Sequence, residues 1–360
     1  MCYNSSLMPR RNTREIKIGN LKIGGGSPIA VQSMTKTDTS DIDATVRQIH
    51  ELEVAGCQIV RCAVPNKESA EALKEIKKQI NIPLVADIHF NHHYALMAIE
   101  AGVDKLRINP GNIGEEDKVR AIVSAAKERG IPIRVGVNSG SLEKDLFKRF
   151  QGHVTAEALV KSALRSIKLI ENFGYDNLVI SIKATSVPMT IQAYQMIAKK
   201  TTYPLHVGIT EAGIPKIGVV RSAVGIGAIL AQGIGDTIRV SLTGDPVEEV
   251  RVGYEILKSL ELAHYGITFI SCPTCGRTKV DVVKIAEEVE KRTRSIKQPL
   301  RVAIMGCEVN GPGEAADADV GLAAGSGVGL IFREGQVVRK VSEAEMVDAL
   351  VDEIESMAIR

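Results

Sequence analysis

QIVRCAVPNKESAEALKEIKKQINIPLVADIH, residues 58–89, holds in one run the pattern on which the fold turns. Residues 58–64 form a short run rich in β-branched side chains. Residues 67–79 set apolar side chains at helical spacing among lysines and glutamates, and residues 83–89 return to a buried-strand composition. Two parallel strands need a long crossover between them, and an amphipathic helix provides it, so the run reads as one βαβ unit. Pro83 sits at a first strand position, where a missing donor is tolerated.

The same pattern extends in both directions. Further candidate strands are residues 28–34, 105–110, 132–138, 178–184, 204–210 and 237–243, with helical patterns at 43–55, 115–129 and 156–171. Strand starts are separated by 30, 25, 22, 27, 46, 26 and 33 residues. Eight such units predict an α/β fold, a (β/α)8 TIM-type barrel, which typically takes roughly 250 residues. A doubly wound open sheet is the alternative, since periodicity does not report closure. Eight is the number that closes, and no Gly-x-Gly-x-x-Gly follows the first strand. The longest interval contains SGSLEKDLFKRFQGHVT (139–155), which reads equally as a lid or as a surface excursion. Gly24-Gly25-Gly26 precedes the first strand and reads as a turn at the wrong end for a site. Gly325-x-Gly327-x-Gly329 reads as a bend rather than a phosphate cradle.

After residue 260 the pattern changes. A strand at 267–271 runs into CPTCG, a helix follows at 281–294, and a strand at 300–305 runs into GCEVNGPGEA. A hairpin at 329–341 turning at Glu334-Gly335 and a helix at 343–357 close the chain. The expected domains are 1–262, a barrel, and 263–360, a small α/β domain.

Composition narrows the function. Of 360 residues, 45 are Lys or Arg and 43 Asp or Glu, a net charge of +2, with 4% aromatic residues and no Trp. That balance carries no footprint for nucleic acid and no base-stacking platform. The start, MCYNSSLMPRR, lacks an apolar core before its arginines. The most apolar later stretch, 219–230, is broken by Arg221, so neither a secretory signal nor a membrane span is expected. Six cysteines (Cys2, Cys57, Cys62, Cys272, Cys275 and Cys307) are too few for a disulfide scaffold. They fit a cytoplasmic, reducing location with a metal or redox task for some of them.

In such barrels chemistry sits at the C-terminal strand ends. There the sequence places Arg61 and Cys62, Asp87 and His89, Arg107 and Asn109, Arg134 and Asn138, and Ser181 and Lys183. The last two strands add His206, Thr210 and Glu211, then Arg239, Ser241 and Thr243. A single arginine here as readily caps a neighbouring strand. Five strands carrying Arg61, Arg107, Arg134, Lys183 and Arg239 at equivalent positions point to a polyanion, most simply a diphosphate. His206 alone would read as a core histidine; among these cations it reads as a ligand.

Cys272 and Cys275 follow one strand, and Cys307 follows the next, so two adjacent strand ends bring three thiols together. A redox dithiol should open a helix, and a structural zinc needs four Cys or His ligands, yet no His follows Tyr265. A nearby carboxylate, Glu308 or Glu314, would make a labile fourth ligand, which is a catalytic design. Cys57 and Cys62 read as small buried residues.

Five motifs, SCPTCGR (271–277), MGCEVNGPGEA (305–315), LRINPGN (106–112), RVGVNSGSL (134–142) and HVGITEAG (206–213), resemble the signatures of the IspG/GcpE family. These are the hydroxymethylbutenyl diphosphate synthases of the non-mevalonate isoprenoid pathway. The resemblance spans nearly the whole chain, in the shorter bacterial two-domain form. It implies reductive ring opening of 2-C-methyl-D-erythritol 2,4-cyclodiphosphate to 4-hydroxy-3-methylbut-2-enyl diphosphate with two electrons. It implies a 4Fe–4S cluster held by Cys272, Cys275, Cys307 and Glu314, the last displaced by substrate. The diphosphate would lie among Arg61, Arg107, Arg134, Lys183 and Arg239, with Asn138, His206 and Ser241 completing the shell. Glu211 becomes the candidate for proton transfer, Asn310 a polar contact near the cluster, and Asp87 and His89 supporting groups. The resemblance further implies a head-to-tail homodimer in which one chain's cluster domain caps the other's barrel, and electrons from flavodoxin or ferredoxin. MCYNSSLMPRR has no counterpart in it and is expected to be disordered, with Cys2 no ligand.

Three other readings of the residues make different demands. A phosphate-binding lyase or aldolase would use Lys183 as a Schiff-base amine. A sensor would bind a phosphorylated metabolite without turnover. A dihydropteroate-synthase-like barrel would leave the three clustered cysteines without a task.

Overall fold

The computed structural model describes residues 9–307 and 318–358, and the chain divides into two compact units, Met1–Ala263 and His264–Arg360. In the first, strands β3 (Ala30–Met34), β4 (Ile59–Ala63), β5 (Leu84–Asp87), β6 (Lys105–Ile108), β7 (Ile133–Asn138), β8 (Leu178–Lys183), β9 (His206–Val207) and β10 (Thr237–Ile238) all pair in parallel. Their order is β8-β7-β6-β5-β4-β3-β10-β9, and a parallel bridge between Ile180 and Leu205 joins the two ends. The expected eight-stranded barrel is present. The helices between strands are capped as their sequences dictate: Asp41, Asn66 and Thr155 side chains accept backbone N–H groups at the starts of Ile42–Val54, Lys67–Gln79 and Ala156–Asn172.

Two strands are much shorter than expected. The apolar runs at 204–210 and 237–243 form strands of only two residues each. Side chains hold this seam where the ladder stops. Asp236 Oδ2 accepts from Leu205 N at 2.8 Å, and its Oδ1 accepts from Thr13 Oγ1 at 3.0 Å and Arg10 Nη2 at 3.3 Å. Arg11 donates to the carbonyls of Ala198, Thr201 and Tyr203. The disorder expected for MCYNSSLMPRR therefore fails at Arg10 and Arg11, because a guanidinium can satisfy several strand-end carbonyls at once. Residues 1–8, with Cys2, lie outside the described residues.

The barrel floor is a feature the sequence reading passed over. IKIGNLKI folds as an antiparallel hairpin, β1 (Ile16–Ile18) and β2 (Leu21–Ile23), turning at Gly19 with φ +56°. Its apolar face, Ile16, Ile18 and Ile23, packs on Ala30, Ile59, Val85 and Val179 at the strand starts. The strands thus begin on an apolar plug and end in a polar mouth.

The second unit is a five-stranded sheet, β11 (Ile267–Ser271), β12 (Leu300–Met305), β13 (Val320–Ala324), β14 (Val328–Arg333) and β15 (Gln336–Ser342), in that order. The first three are parallel and the rest antiparallel. Helices Val282–Thr293 and Met346–Ala358 bury Val289, Leu350 and Ile354 against Val302, Leu322 and Ile331. Glu334 and Gly335 turn the expected hairpin with φ of +50° and +77°. Strand β13 was not among the expected elements, and its Gly321 accommodates the ring of Phe332. Among the described residues no helix is long and apolar enough to cross a membrane.

Candidate active site

Alternation along β4 to β10 turns one set of side chains into the barrel, and near the C-terminal ends that set is charged. Asp87 and Arg107 are lateral neighbours in register, as are Arg107 and Arg134, and Asn138 and Lys183. A cavity of about 190 Å³ lies among Arg61, Asp87, Arg107, Arg134, Lys183 and Arg239, with Asn138 and Ser241 also in its wall. Asp87 Oδ1 accepts from Arg107 Nη1 at 3.0 Å, and its Oδ2 lies 3.4 Å from Arg61 Nε. Burial would raise the Asp87 pKa, but Arg61 and Arg107, with His89 and Arg134, pull it well below the usual carboxylate range. Burial lowers the Arg61 pKa to about 10.

Two inward positions lack a side chain so that a cation can lie there. A Cβ on Gly136 would stand 2.6 Å from Arg107 Nε, and one on Gly208 would stand 2.8 Å from Lys183 Nζ. In the orientation that satisfies both of its amide atoms, Asn138 accepts from Arg107 Nη2 at 3.2 Å. Arg239 Nη2 lies 3.3 Å from Glu249 Oε2, and the other carboxylate oxygen accepts from Leu242 N at 3.0 Å.

A second, wider cavity of about 590 Å³ shares His89, Arg107, Asn138 and Thr210 with the first. Its other walls are Ser139–Ser141, Val154, Thr185, Ser186 and Glu211. The 46-residue interval thus supplies one wall of the mouth, and it also carries a short helix, Lys144–Arg149. Glu211 adopts a left-handed backbone with φ +53°, which costs a non-glycine residue energy and often marks a working site.

The cysteines occupy the strand ends of the second unit. Cys272 directly follows β11, and Cys307 lies two residues beyond the neighbouring β12. Gly306 N donates to Cys272 Sγ at 3.2 Å. Thr278 N donates to Cys275 O at 3.0 Å, closing a tight turn. The Arg277 backbone N–H and guanidinium pull the exposed Cys275 thiol down to about 7, and Cys275, then Cys307 and Cys272, raise the Arg277 pKa in turn. Three sulfurs on adjacent loops, with a backbone N–H and a cation already directed at them, fit an iron–sulfur cluster. Among the described residues no three His, Cys, Asp or Glu converge on a point for one metal ion. A cluster does not require that, because its ligands bind different irons. Cys57 and Cys62 are buried in the barrel, where burial raises their thiols to about 12 and about 11.

A sequence family described as the GcpE TIM-barrel domain matches residues 13–254, and the GcpE protein C-terminal domain matches 268–356. The chain belongs to the GcpE family. A GcpE relative from Caldanaerobacter subterraneus subsp. tengcongensis, described as 4-hydroxy-3-methylbut-2-en-1-yl diphosphate synthase (flavodoxin), is 59% identical over 97% of this chain and 98% of its own. One of the same description from Geobacter sulfurreducens is 57% identical over the same shares. Among solved structures, a dihydropteroate synthase from Stenotrophomonas maltophilia superposes with a TM-score of 0.53 at 14% identity, over 69% of this chain and 97% of that one. That likeness speaks for the barrel alone.

Against the GcpE motifs, the structure gathers Arg61, Arg107, Arg134, Lys183, Arg239, Asn138 and Ser241 around one cavity and puts Glu211 on the adjoining rim. His206 is not at that surface. It is wholly buried, with Nδ1 2.8 Å from Thr237 Oγ1 and Nε2 without a partner. Glu314 and Asn310 lie outside the described residues. Residues the sequence reading missed are Met34, whose sulfur faces the Arg61 guanidinium, Glu249 beneath Arg239, and Lys105 and Gln32 deeper in the barrel.

Proposed function

We propose that the barrel mouth binds the diphosphate of 2-C-methyl-D-erythritol 2,4-cyclodiphosphate. The chain opens the ring of that substrate reductively to 4-hydroxy-3-methylbut-2-enyl diphosphate in the non-mevalonate pathway to isoprenoids. The balance is two electrons and two protons taken up and one water released. The observation that carries the reading is the 190 Å³ cavity with five cationic side chains in its wall, in a chain 59% identical to an enzyme of that name. Arg61, Arg107, Arg134, Lys183 and Arg239 neutralise the phosphates, and bidentate guanidiniums fix their orientation. Asp87 holds Arg61 and Arg107 in place; Asn138 and Ser241 add uncharged contacts. Glu211, on the rim, handles a proton at the carbon skeleton, and His206 acts from beneath the cavity rather than in it.

The donor set supports an iron–sulfur enzyme; the finer reading is a 4Fe–4S cluster on Cys272, Cys275, Cys307 and Glu314, with Asn310 beside it. When bound, such a cluster passes electrons singly to the substrate. Flavodoxin is the electron donor that the relatives' description supports, and a head-to-tail homodimer in the cytoplasm completes the reading.

Protein purified without oxygen should be brown, with about four irons and four sulfides per chain. It should convert the cyclodiphosphate when given reduced flavodoxin. A colourless protein that resists cluster reconstitution, or one holding a single zinc, would replace this reading with a phosphate-binding barrel carrying a structural metal.

A further inference from the structure

The mouth holds more positive charge than its own carboxylates balance. Of the five basic side chains of Lys and Arg that the described residues place around the cavity four are arginines, which keep their protons in proteins. The oxygens of Asp87 are committed to Arg107 and Arg61, and those of Glu249 to Arg239, Lys36 and Leu242 N. Lys183 is faced by Arg134 on β7, Arg239 beyond β10, Arg61 on β4 and Arg107 on β6, with Gly208 of the β9 turn against its amine. Among the described residues no carboxylate lies within ion-pair distance of it. Below the cavity, Lys105 is fully buried and its Nζ has no partner; Arg134 and Arg61 are the charges that act on it. Buried His206, whose Nε2 has no partner, feels the charge of Lys105 as well, while the Tyr194 hydroxyl is committed to His206 O.

Arginines cannot relieve this crowding by losing protons; lysines can. We propose that the diphosphate brings protons in with it: Lys183 and Lys105 are neutral amines in the empty barrel and become ammonium groups when the anion arrives. Each Nζ takes its proton from solvent, and the anion supplies the counter-charge that the fold withholds. Burial first, then the guanidiniums, hold both lysines well below the ordinary lysine range, in keeping with this assignment. The inference rests on the diphosphate reading of the mouth and adds that binding and protonation are linked. Linkage fixes the sign. Where the empty amine is neutral and the occupied one charged, affinity falls about tenfold per pH unit for each proton taken up.

The test is calorimetric titration of the cluster-loaded full chain with the cyclodiphosphate, without reductant so that nothing turns over. Two buffers of different ionisation enthalpy are compared. Each phosphorus of this ligand carries one strongly acidic hydroxyl, so the ligand has no titrating group near neutrality. The expected result is uptake of roughly two protons per site, with affinity falling about 100-fold from pH 7 to pH 8. Lys105→Met, an isostere outside the cavity wall, should still bind and should take up about one proton fewer. Lys183→Met should reduce uptake similarly, with weaker binding. Binding with no net proton uptake overturns the inference, as does uptake unchanged in both variants. Failure of the wild-type chain to bind at all overturns the diphosphate reading itself, and the inference with it.

Discussion

Asp87→Asn removes the one carboxylate that the described residues place in the wall of the 190 Å³ cavity and leaves its shape unchanged. The Asp87 side chain is 4% exposed and serves two guanidiniums, at 3.0 Å and 3.4 Å. Breaking a buried pair by removing one partner costs about 3–5 kcal/mol. Asparagine keeps one oxygen for Arg107, so the low end applies, about 3 kcal/mol. For a unit of this size that is a fall of roughly 6–12 °C in the barrel's Tm. Thermal unfolding followed by circular dichroism at pH 7 and low salt would measure it. The pH dependence has a definite sign. The folded pKa of Asp87 is depressed, so its contribution is complete above the unfolded value, near about 4, and is lost as pH falls through the folded value. The gap between variant and wild type should therefore be widest at neutral pH and narrow in acid. Added cyclodiphosphate should raise the variant's Tm more than the wild type's, because the anion replaces the missing charge. A fall below about 2 °C at pH 7, against the several degrees expected, or a gap constant into acid, would refute the account of Asp87 as the internal counter-ion.

Gly136→Ala would set a methyl group 2.6 Å from Arg107 Nε and push that guanidinium off the cavity. The KM for the cyclodiphosphate should rise about 10- to 100-fold, the worth of one charge-assisted hydrogen bond, with kcat changed less. Cys307→Ala should lose iron and visible absorption, whereas Cys57→Ala, in the barrel, should keep both; iron analysis and absorption spectra decide it. Glu211→Gly should relieve the left-handed backbone at φ +53°, about 1–2 kcal/mol of strain against about 0.5–1 kcal/mol of added unfolded-chain entropy, so urea titrations should show stability level or raised by up to about 1.5 kcal/mol. The same change should lower kcat by about 10²–10⁴ if this carboxyl handles a proton.

The barrel was legible because its signal is redundant. Seven of the eight strands end in side chains of their own polar or cationic set, so a misjudged boundary at one of them leaves the count of eight intact. The sequence overstated β9 and β10 because an apolar run reports burial, whereas the strands end after Val207 and Ile238, where a Cβ on Gly208 would stand 2.5 Å from Arg239 O; at their starts Asp236 pairs with Leu205 N instead. The floor hairpin was missed because strands of three residues give too few alternations to register. In the site, Lys105 was within reach of the reasoning used: it lies two residues before Arg107 and therefore shares its face. Glu249 was not. On helix Pro246–Ser259 it follows another glutamate and reads as solvated, and only the fold reveals Ser33, Arg239 and Leu242 N around it. His206 was placed too near the surface because strand parity gives direction and not depth.

The seam between β9, β10 and the segment at Arg10 also sets a timetable for assembly. Arg10 and Asp236, which meet across it, are 226 residues apart in the chain. At about 5–20 residues per second of synthesis, Arg10 waits roughly 10 to 45 seconds for its partner to be made. Through that interval β3 has an unpaired parallel edge, since β10 covers it last. The nascent barrel is thus an open sheet with adhesive margins for most of its synthesis, and its closure is a late, long-range event of the kind that folds slowly. A chain built this way places its greatest aggregation hazard in the unfinished molecule, and an early-binding chaperone would have its longest opportunity there.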